Sequence, residues 1–366
     1  MRTHHAGRLG QVSVPADRLA HRTLELVDIA SESLNEAAIR AHVRSLVPAA
    51  LRAVFVGEDA ALWLPNRRVG VPLIILAGHY DTIPAQQNYP GRRADGAVHG
   101  LGAADMKGGV AVALEVVRDL ASRAPGHVDV GLLLFGREEL PPRFNPLPEL
   151  FDACAEVHEV ALAILLEPTA GAIHAGCVGT LTARVRFRGR AGHAARPWLA
   201  DNALDRAVLG LREIALLERQ ESVVGGLAFF ETVTLTRIEG GIADNVIPAE
   251  AVATINLRYA PDRDPTEAPA LLASLLPDEV EVEVLGNSPP ARVVVDTPLV
   301  RALNAAGARG VEPKQAWTNV ADFTTRGIDA VNFGPGDPRF AHARDEQVAV
   351  DDLVHAYETL VRLIEG

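Results

Sequence analysis

Lysine is nearly missing from this 366-residue chain. Lys107 and Lys314 are the only two, and the other 33 of its 35 basic residues are arginine. That bias carries no function by itself, but it makes the two exceptions worth locating. Cysteine is equally scarce. Cys154 and Cys177 are too few to frame a chain of this length with disulfides, so free buried thiols in a reducing cytoplasm are expected. No apolar run approaches the ~18 residues of a membrane-spanning helix. The first twenty residues, MRTHHAGRLGQVSVPADRLA, contain no apolar stretch of the kind that marks a secretory leader, and His4 and His5 read as solvated side chains of a tail. Positive charge is in deficit, with a net of −12, which argues against a nucleic-acid footprint or attraction to an anionic membrane.

What the chain does have is apolar residues, 48% of the total, and length enough for two domains. Apolar periodicity predicts helices over 16–30, 36–47, 107–123 and 351–365. It predicts strands over 51–56, 60–64, 72–77, 128–135, 161–166 and 328–333. Strands alternating with helices imply an α/β fold, a mixed sheet with helices on both faces. Residues 180–286 read differently: strand 180–188, helix 201–219, strands 231–238 and 251–259, helix 266–276, strand 279–285. That is the β-α-β-β-α-β order of a ferredoxin-like α+β unit. A catalytic domain of 1–178 and 291–366, interrupted by an inserted domain of 179–290, is therefore expected. The proline-rich stretch 141–148 reads as an irregular loop.

Several predicted strands are followed by groups with chemistry. His79 and Asp81 follow 72–77, Glu138 and Glu139 follow 128–135, Glu167 follows 161–166, and His342 lies beyond 328–333. Ligands of open α/β sheets bind at that end of the strands. Asp105 precedes the helix that begins near Lys107, within GLGAADMKGG, which lacks the G-x-x-x-x-G-K-[ST] order of a phosphate loop. Each residue alone is ordinary: a lone histidine is commonly structural, and a carboxylate after a strand is commonly a turn former. Recurrence at one sheet end is not ordinary. Two imidazoles with several carboxylates suit borderline divalent ions, zinc above all. His79, Glu167 and a shared Asp105 would hold one ion, and His342, Glu139 and the same Asp105 the other. Asp81 would orient the His79 ring. Glu138 is left to act as general base.

Those residues also carry a resemblance. GHYDT, GLGAADMKGG, the Glu138-Glu139 pair, LLEPT, GHAARP and GPGD…AHARDE occur in the order of the dizinc aminoacylase/carboxypeptidase-type amidohydrolases. GCVGTL, GGIADNVIP, NLRYAP, WTNVADF and AVNFGPGDPRFAH make the chain most similar to the branch of actinobacterial-type succinyl-diaminopimelate desuccinylases. The resemblance implies the metal roles above, with zinc or cobalt as the ions, and a cis peptide after Asp105. It implies a homodimer formed through the inserted domain, with His193 reaching the other subunit's site to polarise the scissile carbonyl. Asn245 would help to hold substrate, and Gly334 would belong to a tight loop beside the site. Arg258 either pairs with a substrate carboxylate or is an ordinary strand arginine. Relatives carry Asp and Arg where this chain has Asn319 and Asp322, which bears on how a dicarboxylic substrate is held. The expected activity is hydrolysis of a small N-acyl amino acid, N-succinyl-LL-2,6-diaminopimelate foremost, with N-acetylornithine or a small peptide as alternatives. A non-catalytic binder would have lost the base or a ligand, and all six residues are present. A nucleotide-binding protein would need the missing phosphate loop.

Overall fold

The computed structural model of the chain describes residues 16–366, so the His4-His5 pair lies outside the described residues. Eight strands form one mixed sheet, in the order Arg52–Val56, Ala60–Leu64, Asp129–Phe135, Leu73–His79, Val160–Leu165, Ala330–Asn332, Ile173–Ala175 and Val311–Pro313. The central four are parallel. All seven residues of Leu73–His79 and of Asp129–Phe135 are buried, as befits strands covered on both faces. Helices Ala16–Val27, Gly108–Leu120 and Val350–Glu365 cover one face, with Leu19, Leu26, Val110, Val117, Leu353 and Leu360 in a shared core. Helices Leu147–Ala153 and Val320–Thr324 cover the other, through Leu150, Phe151 and Phe323.

The helix expected at 107–123 runs from Gly108 to Leu120. Before it, Ala103–Lys107 forms an irregular turn in which Asp105 and Met106 leave helical geometry, and the Asp105–Met106 peptide is cis. A Cβ at Gly109 would come within 2.1 Å of the Leu166 carbonyl. The helix start therefore abuts the backbone just before Glu167, and only glycine permits that approach.

Residues 179–288 build a separate antiparallel sheet, in the order Gln220–Val224, Leu227–Gly240, Glu250–Tyr259, Gly179–Arg188 and Glu281–Ser288. Its helices Ala203–Leu216 and Ala268–Ser274 pack on one face through Ala207, Leu211 and Leu272 against Val185, Ile255 and Leu257. This is the ferredoxin-like arrangement with an extra hairpin strand, Gln220–Val224. Gly225 and Gly226, with φ of 59° and 80°, make the two-residue turn whose twist suits a hairpin. Strands Ile173–Ala175 and Val311–Pro313 also add to expectation. At three residues each they are too short to show a period.

Candidate metal centre

Register explains why the site forms. His79 pairs with Phe135, and Ala77 with Leu165 on the other side. Glu138 and Glu139 thus emerge a few residues past one neighbour of His79, and Glu167 two residues past the other. Asn332 pairs with Leu165, which starts the loop to His342 from the same end. The structure brings His79, Asp105 and Glu167 into one cluster and Asp105, Glu139 and His342 into another, each with one donor atom per residue within 4.8 Å of the rest. Asp105 spans the two: Oδ1 lies 3.2 Å from His79 Nε2, and Oδ2 lies 3.5 Å from His342 Nε2. A further grouping joins His79, Glu138 and Glu139.

Asp81 is fully buried beside the other edge of the His79 ring, with Nδ1 3.4 Å from Oδ1. Its carboxylate also accepts the Ser33 hydroxyl at 2.7 Å and the backbone N–H groups of Glu138 (3.1 Å) and Glu139 (3.3 Å). It therefore ties one strand's imidazole to the next strand's glutamates. Burial alone would raise the Asp81 pKa, but the hydrogen bonds from His79 and Ser33 outweigh it and hold the group below its ordinary value. His79 is pushed well above the usual imidazole range: burial works against its charged form, and Asp105 and Asp81 more than reverse that. The Glu139 carboxylate, 2.9 Å from His342 Nε2, raises His342 to about 9.

Glu138 is raised well above the carboxylate range, first by burial and then by the charges of Glu167, Glu139 and Asp105, which His79 only partly offsets. Glu167 is raised to about 6 by burial and by Asp105, with Lys314 Nζ 3.8 Å away pulling the other way. Five carboxylates, those of Asp81, Asp105, Glu138, Glu139 and Glu167, thus gather around the buried His79, the exposed His342 and one ammonium. Nitrogen and oxygen donors in that excess of negative charge fit divalent ions of the zinc type.

A cavity of about 620 Å³ opens onto Glu138, Glu139 and His342. Its far wall comes from the inserted domain and includes Arg258, Arg184 and Thr180. Arg258 Nε donates to Asn256 Oδ1 at 2.8 Å, and no carboxylate pairs with the guanidinium among the described residues. Asn319 lines this cavity. Asp322 turns away from it, accepting from Asn319 Nδ2 at 2.8 Å and Asn145 Nδ2 at 3.0 Å. The departure at 322 therefore places no acid against the cavity. Gly334 is buried, its N–H donating to Thr169 Oγ1 and its carbonyl accepting from the same hydroxyl and from Gly171 N–H. Its polar groups serve the loop packing beside Glu167. His193 lies on the two-stranded ladder of Gly192–His193 with Val246–Ile247, and Asn245 in the turn just before Val246, where Ala194 N–H donates to the Asn245 carbonyl at 2.9 Å. His193 is exposed, and neither residue lines the cavity. Sequence reasoning missed Ser33, Arg143 and Glu346. Only Glu346 had a signal, its place in AHARDE.

The model of Peptidase family M20/M25/M40 matches residues 75–366. The chain is 36% identical over 343 residues to the succinyl-diaminopimelate desuccinylase of Corynebacterium glutamicum, covering 90% of this chain and 92% of that one. It is 29% identical over 312 residues to the acetylornithine deacetylase of Myxococcus xanthus, covering 81% and 80%. Among solved structures, a dinuclear metal-binding peptidase of the M20 family from Bacillus subtilis matches with a TM-score of 0.71 at 15% identity, over 95% of this chain and 97% of that one. The chain belongs to Peptidase family M20/M25/M40, and it is a hydrolase of amide bonds.

Proposed function

We propose that this chain hydrolyses N-succinyl-LL-2,6-diaminopimelate to succinate and LL-2,6-diaminopimelate. The C. glutamicum relative is named for that reaction and matches over nearly the whole chain. The observation that carries the choice of substrate is the character of the cavity. Arg258 and Arg143 line it without acidic partners among the described residues, while the only acids on its wall are Glu138 and Glu139 of the metal cluster. A partly buried guanidinium with no counter-ion is a ready site for a carboxylate. One such arginine serves any N-acyl amino acid. Arg143, exposed on the cavity wall with its guanidinium over the Phe144 ring, offers a second contact, which favours an acyl group with its own carboxylate. N-acetylornithine carries a single carboxylate, against three in the succinyl substrate, and leaves the second arginine of the wall without a partner.

His79, Asp105 and Glu167 would hold one divalent ion, and Asp105, Glu139 and His342 the other, with zinc first and cobalt second by donor type. Bound there, the ions would polarise the scissile carbonyl and lower the pKa of water. Glu138 takes the proton of the attacking water and delivers it to the departing amine nitrogen, a double role suited to a carboxyl held by burial above the ordinary carboxylate range. Asp81 holds the His79 ring with Nε2 turned to Asp105. Arg258 and Arg143 hold the substrate carboxylates.

His193 and Asn245 act in this reading on the site of a second copy, His193 donating to the carbonyl oxygen. The exposed apolar side chains Val208, Leu209 and Leu216 of helix Ala203–Leu216, with Ile238 of strand Leu227–Gly240 and Ile242 just after it, support association through the inserted domain. No helix among the described residues is long and apolar enough to cross a membrane, and the buried free thiols suit a reducing cytoplasm. The test is amine release by zinc-loaded protein offered succinyl-diaminopimelate and N-acetylornithine side by side. At least a hundredfold preference for the succinyl substrate is expected, on the order of 3 kcal/mol for one charge-assisted hydrogen-bonded contact. Equal rates, or a preference for acetylornithine, overturn the substrate.

A further inference from the structure

Asp105 sits in the turn Ala103–Lys107, whose backbone leaves helical geometry and whose neighbours Ala103, Ala104, Met106 and Lys107 are all buried. Buried N–H groups in such a turn need acceptors that the backbone does not supply. One side chain supplies them. Glu346, 2% exposed, accepts Gly102 N–H at Oε2 (2.9 Å) and both Ala104 N–H (3.1 Å) and Asp105 N–H (3.0 Å) at Oε1. The amide of Asp105 itself is therefore among the groups held. Glu346 lies four residues beyond His342, and its own carbonyl accepts Gly100 N–H at 3.0 Å. The loop bearing His342 and the turn bearing Asp105 are stitched together through this one residue. Its charge has a buried counterpart in Lys107, one of the chain's two lysines, 1% exposed, with Nζ donating to the Ile29 carbonyl at 2.9 Å.

We infer that Glu346 is the positioning residue that sets Asp105 between the two ion sites, a role that rests on the reading of Asp105 as their shared ligand. The supports of the other ligands do not use this carboxylate: His79 is oriented by Asp81, which also accepts the Glu139 N–H, Glu167 follows its own strand, and the tie from the His342 loop to Gly100 runs through the Glu346 backbone carbonyl. Loss of the Glu346 carboxylate therefore acts on the bridge more than on either ion's remaining ligands. Glutamine at 346 keeps the volume but has one acceptor oxygen. Its amide NH₂ must face either Gly102 N–H or the Ala104/Asp105 pair, donor against donor.

The test loads wild type, E346Q and D105A with Co(II), measures stoichiometry by equilibrium dialysis, and records electron paramagnetic resonance at low temperature. Thermal melting checks that each variant is folded. Wild type is expected to bind two Co(II) with spin coupling through the shared carboxylate. E346Q is expected to keep its first Co(II), bind the second at least about tenfold more weakly, and give the spectrum of isolated high-spin ions. Its kcat should fall about tenfold or more while KM stays within about twofold. If D105A uncouples the ions but E346Q matches wild type in stoichiometry, spectrum and kcat, the role of Glu346 is refuted. If D105A keeps two coupled ions, the shared-ligand reading fails first and takes this role with it. E346A, which removes both acceptor oxygens and with them all three hydrogen bonds, is expected to be worse than E346Q in the second affinity, and the reverse order also refutes the proposal.

Discussion

Replacement of Arg258 by methionine should move stability and activity in opposite directions. In the free protein the guanidinium is partly buried, its Nε is held by Asn256, and no carboxylate neutralises it among the described residues. Keeping such a charge away from water without a counter-ion is unfavourable, and a methionine of similar length removes that cost. The folded protein should gain about 1 kcal/mol, or roughly 2 °C in melting temperature for a chain of this size. The same substitution removes the partner of a substrate carboxylate. A charge-assisted bidentate contact in a desolvated wall is worth about 2–4 kcal/mol, so kcat/KM should fall roughly thirtyfold to a thousandfold. Calorimetric melting and steady-state amine release, on the same preparations, read both signs. A variant that loses stability along with activity would mean that Arg258 supports the fold through Asn256, whose Nδ2 reaches Thr180 and Thr182. A variant unchanged in activity would remove Arg258 from substrate binding.

Glu138→Gln should leave two equivalents of metal bound while turnover drops by a factor of about 10³ or more, and metal analysis with single-turnover assays separates the two effects. Mixing inactive Glu138→Gln and His193→Ala subunits should restore about a quarter of wild-type activity, because half of a random mixture pairs one intact His193 with one intact Glu138. No recovery on mixing would place His193 outside the neighbouring site. His174 is buried and held near 4, first by burial and then by Lys314. Its folded pKa is depressed, so the unfolded chain takes up the proton first. Stability is then full above the ordinary value of 6.5 and is lost as pH falls toward 4. Denaturant titrations of wild type should lose about 2 kcal/mol more than His174→Gln between pH 7 and pH 5. Parallel losses in the two proteins would show that His174 does not set this slope.

The metal cluster was legible because its residues come after strands that announce themselves as apolar runs, and parallel strands deliver their trailing residues to one end of a sheet. His79, Glu138, Glu139, Glu167 and His342 all travel by that rule. The arginine wall did not obey it. Arg143 comes from a loop of the first domain and Arg184 and Arg258 from strands of the second, so their meeting depends on how two sheets face one another. The Gln220–Val224 hairpin left a trace, two glycines between β-branched and aromatic residues, but its signal was too short to stand apart from the helix before it. Glu346 was readable only as a letter in a motif. What it does depends on three backbone N–H groups more than two hundred positions away, and no spacing along the chain encodes that.

The interleaving of the two sheets has a consequence during synthesis. The strand Ile173–Ala175 waits for Val311–Pro313 and Ala330–Asn332, which emerge after the whole ferredoxin-like unit has been made. That unit has its own core and its own five-stranded sheet, and it can close while the larger sheet still lacks its last members. His342 arrives later again, and the helix Val350–Glu365 that seals the first layer later still. A ribosome-bound chain therefore carries nearly every ligand of the centre without the geometry to use them. Hydrolytic competence therefore waits until His342 and the helix Val350–Glu365 have been made and have docked.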